Sequence, residues 1–95
     1  MMVEHVEDLW PVRERHVQAD RTNVERVCRV FERSSALRQQ PLPADAQLLA
    51  EGFHATVRGL VYSWLLSRAF DLEAAARVAV DAYLAGIGLP RQLLL

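Results

Sequence analysis

Few side chains in this 95-residue chain could do chemistry, and their spacing does not favour it. His5, His16 and His54 show neither the i, i+4 pairing of a zinc-binding helix nor a shared short motif. Glu4, His5, Glu7 and Asp8 could hold an adventitious ion, but their spacing reads better as the wet face of a helix. Cys28 is the sole cysteine, which excludes an intrachain disulfide and a cysteine-rich zinc site. A nucleophilic role would need a base at hand, and spacing places none, so an inert, buried thiol is expected. No glycine-rich phosphate loop occurs. The expectation is a non-enzyme with no cofactor, no metal and no catalytic residue.

Arginines are the second chemical signal. All 11 basic residues are Arg, and seven of them, Arg13, Arg15, Arg21, Arg26, Arg29, Arg33 and Arg38, fall in one stretch. Glu14, Asp20, Glu25 and Glu32 are interspersed with them, no aromatic accompanies them on the exposed face, and the formal net charge is -1. A phosphate track or stacking platform would look different, so a solvated helix face is the better reading.

The chain is 52% hydrophobic and 24% charged, more apolar than one small core needs, and oligomerisation is the ordinary way to cover the excess. Glu4, Glu7 and Asp8 stand where a secretory leader would be basic. The most apolar run, Leu48 to Phe70, is broken by Glu51, His54, Arg58 and Arg68, too costly for a membrane span. A cytoplasmic protein with no membrane partner is expected.

These side chains must be positioned by helices. No alternating run and no Asn-Gly or Asp-Gly turn marks a strand, so the chain reads as one all-α domain over 1–95, an antiparallel arrangement of about four helices. The first, about 3–10, carries Val3, Val6 and Trp10 on one face, and Pro11 ends it or opens the next. The second, about 12–38, has an apolar line through Val17, Val24, Val27, Cys28 and Phe31, with a kink expected at Asp20-Arg21-Thr22-Asn23. The third, about 43–67, places Pro43 near its first position and Asp45 in its first turn. Its polar sector, Gln47, Glu51, His54 and Arg58, is narrow, which leaves two apolar faces needing partners. The fourth, about 72–85, has Asp71 as N-cap, Gly86 and Gly88 to end it, Pro90 to prevent restart, and a wet stripe of Glu73, Arg77 and Asp81. The tail Arg91 to Leu95 is apolar and capless.

Two faces of the third helix stand out. Gly52, Ala55, Thr56, Gly59 and Ser63 fall in a narrow arc. A helical glycine costs roughly 1 kcal/mol relative to alanine, so two of them a heptad apart imply close backbone approach. A second subunit and a neighbouring helix of the same chain explain that equally well. The bulkier face, Phe53, Val57, Leu60, Val61 and Trp64, together with Val24, Cys28 and Phe31, reads on its own as ordinary core.

Leu42 to Leu84 carries more than helical periodicity. Leu42, Pro43, Ala44 and Asp45 at the entry, then Gly59, Leu60, Trp64 and Leu65, then Phe70, Asp71 and Leu72, then Ala76 and Tyr83-Leu84 form a recognisable series. With them the chain resembles the C-terminal effector-binding and dimerisation domain of TetR-type transcriptional repressors, in particular the AcrR-like branch; Val12 to Arg38 resembles it loosely. Nothing between Met1 and Leu42 resembles the helix-turn-helix domain of such repressors. The resemblance implies a homodimer in which the last two helices pair as a four-helix bundle, with Ala76, Ala79 and Tyr83 joining Gly52, Ala55, Thr56, Gly59 and Ser63 at the interface. It also implies that Val24, Cys28, Phe31, Phe53, Val57, Leu60, Val61 and Trp64 line a pocket for a small hydrophobic effector, part of whose wall comes from upstream helices. DNA would then be met only through a missing N-terminal domain. A head-less partner that titrates a full-length regulator, and a helical adaptor unrelated to transcription, are the alternatives.

Overall fold

The computed structural model describes residues 10–90, which form α1 (Trp10–Arg38), α2 (Ala46–Ser67) and α3 (Leu72–Gly86), with no strand among them. The helix expected at 3–10 lies outside the described residues except for Trp10, which opens α1. His5, the acidic group around it and the tail 91–95 also lie outside them.

α1 starts with Pro11 in its first turn, where a missing N–H costs nothing. It then runs unbroken through Asp20 to Asn23, so the poor helix formers there do not interrupt it. Asp and Asn weaken helices by bonding to nearby backbone, but the Asp20 carboxylate is taken by His54 and Arg58 of α2 instead. α1 ends in a Schellman motif: the Gln40 amide donates to the Ser35 carbonyl, the Gln39 amide donates to that of Ala36, and Gln39 takes the left-handed conformation, φ 54°.

α2 begins at Ala46, three residues later than expected. Asp45 is its N-cap and not a first-turn residue, because its side chain accepts the Leu48 amide at 3.2 Å while its own backbone stays extended; Pro43 therefore lies outside the helix. Arg68, φ 53°, caps the other end and lays its guanidinium 4.2 Å from the centre of the Trp64 ring. Asp71 caps α3 as expected, accepting the Ala74 amide at 3.2 Å. Gly86 is the last helical residue, and Gly88 at φ 79° forms a second Schellman turn in which the Leu89 amide donates to the Leu84 carbonyl. Leu89 and Leu84 share one buried cluster, the apolar contact such a turn favours.

The short connections make successive helices antiparallel neighbours, α1 on α2 and α2 on α3. The core is lopsided. Phe31, Phe53, Leu84 and Leu89 are buried together, with Val27, Leu42, Leu49, Val57, Val80 and Ile87 packed around them, so burial gathers at one end of the three helices. Residues 13–19 of α1 are all exposed, the apolar Val17 included. A radius of gyration of 16.2 Å, against about 12 Å for a compact chain of this length, expresses the same elongation.

Candidate functional site

Helical periodicity and burial together define how α2 is used. Three residues of its polar sector, Glu51, His54 and Arg58, reach α1, although Arg58 is also well exposed to water. Arg21 on α1 pairs with Glu51 at 2.9 Å, and Asp20 receives His54 Nε2 at 3.3 Å on one oxygen and the Arg58 guanidinium on the other. The hydrogen bond from Arg21 to Glu51 and the charge of that carboxylate raise the arginine's pKa, so it holds its charge even more firmly. These residues, with Val17, Val24 and Ala55, line a cleft of about 330 Å³ between the two helices.

With the polar sector occupied, the face of α2 left to solvent is apolar. Leu48, Ala55, Gly59, Tyr62 and Leu66 fall within an arc of about 60°. All are exposed, Leu48 to 67%, Tyr62 to 64% and Leu66 to 75%. A side chain at Gly59 would meet nothing within 4 Å. On α3 the charged stripe Glu73, Arg77 and Asp81, in which Arg77 and Glu73 pair at 2.8 Å, lies on the opposite side of the helix from the alanine line Ala75, Ala79 and Ala82. Val78 stands between them, 69% exposed.

The sixteen residues singled out by sequence are distributed unevenly. Of the expected interface set, Ala55, Thr56, Gly59 and Ser63 are exposed on α2, and Thr56 returns a hydrogen bond to the Gly52 carbonyl at 2.8 Å. Gly52, Ala76, Ala79 and Tyr83 are half-buried, and Gly52 and Tyr83 face each other within one chain. Of the expected pocket set, Val24, Phe31 and Phe53 are packed in the interior, Phe31 meeting Phe53 edge to face at 5.8 Å. Cys28, Val57, Leu60 and Trp64 are half-buried, and Val61 is exposed. Burial raises the Cys28 thiol pKa, and Glu32 adds to the effect, which leaves the group a poor nucleophile. Among the described residues no cluster of three metal-binding side chains occurs, and no helix is long and apolar enough to cross a membrane.

Sequence reasoning missed the Asp20, His54 and Arg58 junction. Asp20 was legible only as a poor helix former, although its place on the same face as Val17 and Val24 was a signal that it points at α2. Leu48, Tyr62 and Leu66 were missed as exposed residues for the complementary reason: a polar sector is ordinarily assigned to water.

The described residues thus form an all-α module of long antiparallel helices with an exposed apolar face on α2. The chain matches the family of BetI-type transcriptional repressor C-terminal domains over residues 6–88, most of its length, and belongs to that family. It is accordingly a TetR-type repressor C-terminal domain, from a family of transcriptional regulators and not of enzymes. No curated protein and no solved structure matches it.

Proposed function

We propose that this domain pairs with a second copy of itself and carries effector sensing for a transcriptional repressor. One observation carries the reading: α2 spends its ion-pairing side chains on α1 and leaves Leu48, Ala55, Gly59, Tyr62 and Leu66 facing water. A lone domain gains nothing from that arrangement, whereas a pair buries the stripe, at about 25 cal/mol per Å² of apolar surface. The small residues Ala55, Gly59 and Ser63 let two α2 helices approach closely, and Ala79 and Ala82 of α3 extend the contact into a four-helix bundle.

The effector we propose is a small hydrophobic molecule contacting Cys28, Val57, Leu60, Val61 and Trp64, the half-buried and exposed members of the expected pocket set. Binding there shifts the population of dimers towards a conformer whose DNA-binding heads no longer match the two operator half-sites. The site of action is the cytoplasm, where such a repressor meets its operator.

Sedimentation equilibrium of the purified chain over a wide concentration range tests the pairing. A concentration-dependent dimer is expected; a helical monomer throughout would reject the reading.

A further inference from the structure

We infer that Tyr83 is a positioning residue that locks α3 in one register on α2, and that the pairing face depends on this lock although Tyr83 is turned into the chain. The inference rests on the pairing reading for its functional consequence and on the intrachain geometry for the lock itself.

The Tyr83 hydroxyl donates to the Leu49 carbonyl at 2.6 Å, in the second turn of α2. Its ring meets Phe53 edge to face at 5.5 Å, and Phe53 in turn meets Phe31 of α1. The ring lies over Gly52: a Cβ there would stand 2.7 Å from the hydroxyl oxygen and 3.6 Å from Cζ. A side chain at this point of the helix would push the hydroxyl off its place, so the small-residue line has a purpose here other than contact with a second subunit.

Leu84 and Val80 anchor α3 in the core, but apolar contacts alone tolerate small shifts, and the half-buried Ala76 and Ala79 add little interdigitation. A hydrogen bond to one carbonyl cannot follow such motion, because a shift of one residue moves the groups about 1.5 Å along the axis. The rotation of α3 matters for pairing. On the pairing reading, turning it on its axis takes Ala79 and Ala82 out of the proposed contact and brings Glu73, Arg77 and Asp81 towards it, charges that would be costly to bury. Tyr83 holds the alanines in place.

The test compares Tyr83→Phe, Gly52→Ala and the double variant in the full chain, by amide hydrogen exchange of the three helices and by the dimer dissociation constant. Tyr83→Phe should raise opening of α3 roughly tenfold and weaken dimerisation comparably, with α1 protection unchanged. Gly52→Ala should do more damage than Tyr83→Phe. The double variant should recover to at least the Tyr83→Phe level, because without the hydroxyl oxygen the alanine methyl meets Cζ in ordinary contact.

Unchanged α3 protection in Tyr83→Phe, equal loss in α1 and α3, or Gly52→Ala damage that Tyr83→Phe does not relieve would each overturn the lock. Should Gly52→Ala fail to fold, a folded double variant supports it, and an unfolded one overturns it. A wild-type chain that stays monomeric removes the pairing reading, while hydrogen exchange and the rescue still decide the lock.

Discussion

Asp20 Oδ1 on α1 stands 3.3 Å from His54 Nε2 on α2, and its second oxygen takes the Arg58 guanidinium, so one carboxylate ties two residues of the neighbouring helix. It lies where the helices are still in contact but the apolar core has ended. Removing it leaves two donors facing no acceptor. A charge-assisted bond is worth about 1.5–3 kcal/mol, but Arg58 is well exposed and water screens its share, so Asp20→Ala should cost about 1 kcal/mol. Urea denaturation followed by circular dichroism checks this; a midpoint equal to wild type would show that the junction is decorative.

Phe53 is the centre of the molecule, touching Phe31 of α1 on one side and Tyr83 of α3 on the other. Truncation to alanine opens a cavity with no neighbour free to fill it. The expected loss is about 3–5 kcal/mol, comparable with the whole stability of a marginal domain. Phe53→Ala should therefore be largely unfolded by circular dichroism at room temperature, whereas Leu66→Ala, on the exposed stripe, should keep its helicity.

Gly59 has open space around it within one chain. Its replacement by leucine meets no obstacle in the monomer, and helix propensity improves by roughly 0.8 kcal/mol. On the paired reading the same side chain wedges the two α2 helices apart. Gly59→Leu should leave helical content intact and abolish the dimer in sedimentation equilibrium. A dimer that survives this substitution would mean that the helices pair elsewhere.

Alkaline pH should loosen the fold through Tyr83. Burial raises its phenol above the ordinary tyrosine value of about 10, with the Phe53 backbone opposing in smaller measure. A raised folded pKa in an acid means that the folded state holds its proton after the unfolded state has lost it. Stability is therefore flat below the unfolded value and falls as pH rises through it. Cys28 acts in the same direction from its own, lower value. Thermal melts of a Cys28→Ser background between pH 8 and 11 should show the fall, and Tyr83→Phe in that background should reduce it; an identical pH profile would place the loss elsewhere.

Much of this architecture was legible in the chain itself, because it depends on local rules. Asp71 as cap, Gly88 beyond the last turn and the exposed pair Glu73 and Arg77 follow from chemistry within a few residues of one another. So does the existence of three long helices, since apolar residues recur at their spacing with no competing strand pattern. The resemblance in Leu42 to Leu84 added the regulatory class, which the family match over 6–88 then showed.

What the sequence by itself determined was therefore helix, cap and composition: how much apolar surface there is and on which arcs it lies. Only the tertiary structure decided which arc meets water. The polar sector of α2 could have faced solvent by every local rule; Glu51, His54 and Arg58 reach α1 because Asp20 and Arg21, thirty or more residues away, supply opposite charges at matching heights. Gly52 was likewise visible as a point of close approach, but the partner that approaches is Tyr83 of the same chain. Such pairings join residues distant in sequence, and no periodicity within either helix encodes the height or rotation at which it docks on the other.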